Sequence, residues 1–250
     1  MKKKLEYFNR LEIFKNSLSD LSSYEIEKLV EHSMCTNVLN TYDEVLAWAE
    51  KIKKQFNTEI TEIPLGDLQN WNINSNKISH SSGKFFEILG FRIGSNSLRE
   101  VEAGWDQPII KEHGFDGGVL CLLRTYIEEL PHYLIQARFE PGNYNHIQLS
   151  PTLQATFSNL NQEHGGKKPP YSEFFEDYSQ NSNEYLFNEW LAEDGGKFYF
   201  KRNKGLVKQI DYENTYLLDD SFMWLSLFQI KKLLEKNSLV NPHLSRLIFL

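Results

Sequence analysis

Apolar residues fall at two different periods along this chain, and the change between them divides it. In the first sixty residues they recur near every 3.6 positions, as on one side of an α-helix. Ser22 and Ser23 precede the run Tyr24 to Val30, and Thr41 with Glu44 forms a capping-box pattern ahead of Val45, Leu46, Ala49 and Ile52. Amphipathic helices are expected there. From Trp71 onward, glycine, asparagine and alternating aromatics take over. Phe85–Ile93 reads as a strand, and Val119–Leu123 reads as a buried strand behind the Gly117-Gly118 turn. Gly196–Asn203 is a further strand-like run, Leu206–Ile210 continues a sheet, and Tyr171–Tyr178 forms a short helix. A helix over Phe222–Leu234 closes the pattern. No repeat or low-complexity tract interrupts it. The reading is a helical region at 1–70 packed on one module at 71–250.

Two segments carry an unusual polar pattern. In His132–Glu140, the side chains of Gln136, Arg138 and Glu140 share one face, and Ile135, Ala137 and Phe139 share the other. Pro141-Gly142-Asn143 supplies turn residues. In His146–Asn159, the residues Gln148, Ser150, Thr152, Gln154, Thr156 and Ser158 all fall on one parity. This implies a strand with one apolar and one polar face, with Pro151 at an edge or bulge because it cannot donate to a ladder. Paired as a hairpin, the two segments lay a floor of amides and hydroxyls around one arginine and one carboxylate. Such neutral groups both give and accept hydrogen bonds, which suits a hydroxyl-rich ligand. An ordinary exposed strand or a contact between subunits has the same pattern.

Arg138 and Glu140 have two readings. As a surface ion pair they contribute little. In a cleft, Arg138 meets a phosphate or a developing oxyanion and Glu140 moves a proton. Trp105-Asp106-Gln107-Pro108 offers either a core tryptophan or a stacking platform. Lys201, Arg202 and Lys204 suit a diphosphate or a solvated strand end.

Composition narrows the partners. A net charge of −7 disfavours a nucleic-acid or anionic-membrane surface while leaving room for a small anionic ligand met by local cations. Cys35 and Cys121 form no spaced pair, which fits a reducing cytoplasm. No apolar stretch follows the basic start, so neither a signal peptide nor a membrane span is expected. His132, Glu140, His146 and Gln148 cluster in sequence, but without metal-ligand spacing, so no metal is expected. Phosphate-loop, dinucleotide-binding and nucleophile-elbow motifs do not occur.

Several segments together resemble the NDP-hexose 2,3-dehydratase family. They are Ile78-Ser79-His80 with Gly83-Lys84-Phe85-Phe86, then Trp105-x-Gln107-Pro108, then Gln136-Ala137-Arg138-x-Glu140-Pro141-Gly142-Asn143, then Gln148-Leu149-Ser150-Pro151-Thr152-x-Gln154-Ala155-Thr156. Pro170-Tyr171, Gly196-Lys197-Phe198-Tyr199, Asn203 and the stretch Trp224–Asn241 also match. The resemblance implies an α+β fold: a Nudix-like mixed β-sheet module with a helical N-terminal region and a C-terminal helix. The Nudix box itself is missing, since Arg99–Gly104 lacks the paired glutamates and Phe91 stands where an upstream glutamate is needed. Metal-dependent diphosphate hydrolysis is therefore not expected.

The activity implied is removal of water from a nucleotide-linked 4-keto-6-deoxyhexose, with dTDP as the expected nucleotide and no cofactor. Glu140 is expected to transfer the proton and Arg138 to stabilise the anion, with His146 and Tyr199 as reserve acids. Gln136, Gln148, Ser150, Thr152, Gln154 and Thr156 are expected to hold sugar oxygens, beside Asn143. Trp105, Gln107 and Tyr171 shape the nucleotide pocket, and Lys197 and Arg202 meet the diphosphate. Two departures stand out. Familiar members carry two modules in tandem where this chain carries one, which suggests a homodimer. Phe200 also stands where the family often has histidine. A keto-isomerase on the same sugar, and a catalytically silent nucleotide-sugar-binding module, are the alternatives.

Overall fold

The computed structural model describes residues 2–34, 39–56, 58–95, 102–112, 116–163, 165–178, 184–212, 219–236 and 238–249. Cys35, Arg99–Val101 and Gln180–Asn183 lie outside them.

Three helices open the chain: α1 (Lys2–Ser17), α2 (Ser23–Ser33) and α3 (Tyr42–Gln55). Their starts follow from the sequence. Ser22 and Glu25 exchange side-chain and backbone hydrogen bonds in a capping box, and Thr41 and Glu44 do the same for α3. Tyr7, Leu11, Ile26 and Val30 of α1 and α2 bury against Leu130. Val45, Trp48, Ala49 and Ile52 of α3 enter the main core. The helical region is thus fastened to the sheet at two places. A buried cation adds a third: Arg124 donates to Glu27 Oε2 at 2.5 Å and to Glu31 Oε1 at 2.9 Å, both on α2.

A small antiparallel sheet follows in the order β1 (Trp71–Ile73), β2 (Lys77–His80), β3 (Glu87–Ile93) and β4 (Trp105–Lys111). The large sheet is built from β5 (Asp116–Ile127), β6 (Leu130–Phe139), β7 (Ile147–Ser150) and β8 (Leu153–Thr156). After the short α4 (Phe157–Leu160) come β9 (Tyr185–Ala192), β10 (Arg202–Gln209) and β11 (Phe222–Leu225). Its order is β11-β6-β5-β10-β9, with β7 on β6 and β8 on β5. β10 runs parallel to β5 and the other pairs are antiparallel, so the sheet is mixed. Helices α5 (Leu227–Leu234) and α6 (Pro242–Phe249) pack with α3 on one face. Tyr171 and Phe175 cover the other. The architecture is α+β, as expected.

The polar run after Asn145 is where expectation and structure part. It is two strands rather than one. β5 and β6 pair only from Arg124 to Tyr133, then diverge. β7 continues on β6, with Gln136 opposite Ser150 and Arg138 opposite Gln148. β8 crosses to β5, with Leu120 opposite Gln154 and Gly118 opposite Thr156. Thr152 sits at the fork. Its Oγ1 accepts from the Leu123 amide at 2.9 Å and donates to the Leu134 carbonyl at 2.6 Å, linking both prongs. Pro151 marks the crossing, where a missing amide costs the ladder nothing. The crossing also exchanges faces. Ile147 and Leu149 join the helix-covered cluster, whereas Leu153 and Ala155 join the opposite one. The same parity therefore puts Gln148 and Gln154 on different sides of the sheet, and a continuous polar floor does not form.

Two other expectations shift. Phe222–Leu225 is a strand edge on β6, and the helix begins only after Ser226, which forms a capping box with Gln229. Gly196–Lys201 is a loop, and the strand starts at Arg202. One bridge in that loop, Ile110 with Phe198, fastens the small sheet to the large one.

Candidate active site

The open end of the fork is a cleft of about 250 Å³. Glu140 follows the end of β6, and Arg138 precedes it by one strand period, so both point into the cleft. Arg138 Nε donates to Glu140 Oε1 at 3.1 Å. Gln154, from the other prong, donates from Nε2 to the same oxygen at 3.1 Å. Both bonds reach Oε1, and Oε2 receives none from the described residues. A carboxylate fixed through one oxygen keeps the other for a ligand. Asn241 in turn donates to Gln154 Oε1 at 3.0 Å while its own Oδ1 caps α6 through the Leu244 amide at 2.8 Å. A chain of side chains thus runs from the start of α6 to Arg138.

The facing part of the cleft is ionisable. Glu193, at the end of β9, accepts a short hydrogen bond from Asn203 Nδ2. His243 Nδ1 lies 3.7 Å from Glu193 Oε1 and Arg246 Nη1 lies 3.6 Å from it. His243 Nδ1 is buried and has no hydrogen bond. Burial pushes the His243 pKa below the ordinary imidazole value, Glu193 pulls it up, Arg246 pushes it down, and Glu140 and Lys201 add smaller opposing effects. Lys201 pairs with Glu112 at 2.9 Å and lies over the Phe198 ring at 4.5 Å.

The cleft adjoins two further hollows. One, of about 350 Å³, shares Thr156 with it and extends past Lys84 and Glu112. The other, of about 500 Å³, shares Glu193, Phe198 and Lys201 and is lined by Trp190, Tyr199, Phe200 and Arg202. Arg202 lies 4.1 Å above the Trp190 ring.

Of the residues singled out from sequence, Arg138, Glu140, Gln154 and Thr156 meet in the cleft, and Tyr199 and Arg202 line the aromatic hollow. The rest lie elsewhere. Thr152 and Ser150 are buried, with their hydroxyls bonded inside the sheet, so neither offers a free group to a sugar. Tyr171 is core, packed edge-on against Phe222 with ring centroids 4.8 Å apart, so its ring is not available to a nucleotide pocket. Gln148 donates to the Ser238 carbonyl at 2.8 Å. Gln136 lies across from Phe222 and Ser150, outside the lining of these hollows. Asn143 builds the hairpin turn, its amide donating to the Glu140 carbonyl. His146 is exposed on that turn and stacked against Phe139, outside the cleft. Trp105 Nε1 donates to Gln107, and Gln107 donates to the Gly196 carbonyl at 2.9 Å, bracing the loop that carries Phe198. Lys197 is exposed and paired with Asp194.

Sequence reading missed His243 and Glu193, and gave no site role to Asn203 and Asn241, which it met only within the segments that resemble the family. Asn241-Pro242 before Leu244, Leu247 and Ile248 is a readable helix start, but no local pattern tells which cleft that helix faces. Among the described residues, no three His, Cys, Asp or Glu side chains gather as a metal group would, and no helix is long and apolar enough to cross a membrane.

Fold and cleft together define an α+β protein with a polar, ion-paired pocket beside an aromatic, cationic groove. Such a site fits a ligand that is hydroxylated at one end and anionic at the other. The sequence profile of the NDP-hexose 2,3-dehydratase family matches residues 42–249. Three proteins called dTDP-4-dehydro-6-deoxy-alpha-D-glucopyranose 2,3-dehydratase are similar to the chain. The one from Saccharopolyspora spinosa is 32% identical, over 90% of this chain and 46% of its own length. That from Streptomyces violaceoruber is 34% identical, over 78% and 43%, and that from Amycolatopsis orientalis 32%, over 80% and 42%. The chain belongs to the NDP-hexose 2,3-dehydratase family. It spans less than half the length of these relatives. Among solved structures, a C. elegans Ap4A hydrolase is similar over 48% of this chain and 86% of its own, at 14% identity and a TM-score of 0.29.

Proposed function

We propose that this protein is a lyase that removes the C-2 hydroxyl of an NDP-4-keto-6-deoxyhexose, with dTDP-4-keto-6-deoxyglucose as substrate, in deoxysugar biosynthesis. The observation that carries the reading is the Arg138–Glu140 pair in the cleft, with the carboxylate held through one oxygen only. The C-3 proton of a 4-keto sugar is acidic because the resulting enolate spreads onto the ketone oxygen. Glu140 takes that proton, and the adjacent Arg138 meets the charge that grows at C-4 oxygen. Loss of the C-2 hydroxyl as water leaves an enol, which tautomerises to a 3,4-diketo-2,6-dideoxy sugar. Gln154 and Thr156 hold sugar oxygens. The diphosphate lies toward Lys201 and Arg202, and the nucleoside lies along Trp190 and Tyr199.

The family membership and the relatives' names support this reading. Incubating the purified protein with dTDP-4-keto-6-deoxyglucose and recording product mass tests it: dehydration lowers the mass by one water, whereas an isomerase leaves it unchanged. Tight binding without turnover, with activity appearing only when a second protein is added, identifies a silent binding module instead. We also infer a division into a helical region at 1–70 and a module at 71–250, a cytoplasmic homodimer that restores two modules, and turnover that survives chelation.

A further inference from the structure

Elimination moves two protons, one off C-3 and one onto the departing oxygen, and Glu140 accounts only for the first. We propose that His243, backed by Glu193, is the acid that protonates the leaving C-2 hydroxyl. The inference rests on the dehydratase reading above and adds a role to the same cleft.

The order of atoms in the sugar makes the argument. C-4, C-3 and C-2 follow one another in the ring. The C-4 oxygen and the C-3 hydrogen are neighbours, which suits the adjacent Arg138 and Glu140 at the end of β6. The group at C-2 must come from elsewhere in the cleft. His243 projects from α6 and Glu193 from the end of β9, and both line the same space as Glu140. Glu193 is a prepared partner: its side chain is 9% exposed, Asn203 donates to it, and it faces His243 Nδ1 at 3.7 Å. That nitrogen is buried without a hydrogen bond, and its residue lines the cleft. A carboxylate that orients an imidazole and steadies its protonated form recurs in proton transfer.

Charge completes the picture. Four groups face the ring. Glu193 and Glu140 favour imidazolium, Arg246 and Lys201 oppose it, and burial opposes it further. An anionic diphosphate reaching Lys201 screens an opposing cation, so substrate binding draws a proton onto His243. The step then balances. Glu140 accepts the C-3 proton. The C-2–oxygen bond breaks with its electron pair on oxygen. His243 gives its proton to that oxygen and leaves as neutral imidazole, and water departs. Proton return from Glu140 to His243 through solvent resets the pair.

Two readouts on one substrate separate the roles. In deuterium oxide with dTDP-4-keto-6-deoxyglucose, the wild type exchanges the C-3 hydrogen and loses water. In His243→Asn, dehydration falls about 100-fold or more while C-3 exchange continues. Glu193→Gln shows the same split with a smaller loss, and Glu140→Gln loses both. Calorimetric binding of dTDP in buffers of different ionisation enthalpy reports proton uptake in the wild type and none in His243→Asn. Circular dichroism confirms that the variants are folded. Loss of exchange together with dehydration in His243→Asn, or wild-type dehydration in it, overturns the assignment. A wild type that neither exchanges C-3 hydrogen nor loses water defeats the dehydratase reading itself, a distinct result.

Discussion

Gln154 Nε2 donates to Glu140 Oε1 at 3.1 Å across the gap between two prongs of the large sheet. The contact joins β8, which belongs with β5, to the end of β6. It is the point where the fork in the fold becomes the geometry of a site, because the carboxylate is aimed from one prong and held from the other.

Glu140→Gln keeps the shape of this arrangement and removes its basicity. The expected result is a turnover loss of about 100-fold or more, with dTDP binding within a few-fold of wild type by equilibrium dialysis. Unchanged turnover removes Glu140 from the mechanism.

Thr152→Val is nearly the same size and deletes both hydrogen bonds at the fork. The Leu123 amide and the Leu134 carbonyl are then left buried without partners. At roughly 1–3 kcal/mol for each such group, the protein should lose about 2–6 kcal/mol of stability, read from urea unfolding. A shift well under 1 kcal/mol would mean the prongs close on each other without the threonine.

Arg124 is buried between β5 and α2, and Glu31 beside it is fully buried. Burial pushes the Glu31 carboxyl above the usual range, and Arg124 pulls it back down. Arg124→Met strands that carboxylate and should cost about 3–5 kcal/mol. Adding Glu31→Met to the same chain should recover part of the loss. A double variant no more stable than the single one contradicts the pairing.

His132 is buried with Nδ1 donating to the Leu130 carbonyl at 2.9 Å, and burial holds its pKa below the ordinary value of 6.5. As pH falls below 6.5, the unfolded chain takes up a proton that the folded chain refuses. His132 therefore contributes stability that is present above pH 6.5 and lost as pH falls through the lower folded value. Stability measured from pH 7 to pH 5 should fall less steeply in His132→Gln than in the wild type. Parallel curves would show that another group sets the slope.

Much of the fold was legible because its signals are local. The capping boxes at Ser22 and Thr41 need only four residues each, and β6 alternates cleanly through Gln136 and Arg138. Arg138 and Glu140 were found because they share a strand face. What local pattern cannot convey is pairing. Nothing in Gln148–Thr156 tells that its two halves join different strands, so alternation alone suggested one face. Thr152 looked like a ligand group because its role depends on Leu123 and Leu134, far away in sequence. His243 and Glu193 are separated by fifty residues and meet only after α6 docks beside β9.

The crossing at Pro151 and Thr152 has the look of a loop, the kind of place where chains usually accept an extra residue. Here it acts as a phase marker. One residue more or fewer would invert every side chain of β8, burying Gln154 among apolar neighbours and turning Leu153 or Ala155 toward Glu140. Length at this short turn is therefore as constrained as identity in the cleft, and an engineered insertion that a surface loop would absorb should abolish the site while leaving both prongs individually intact.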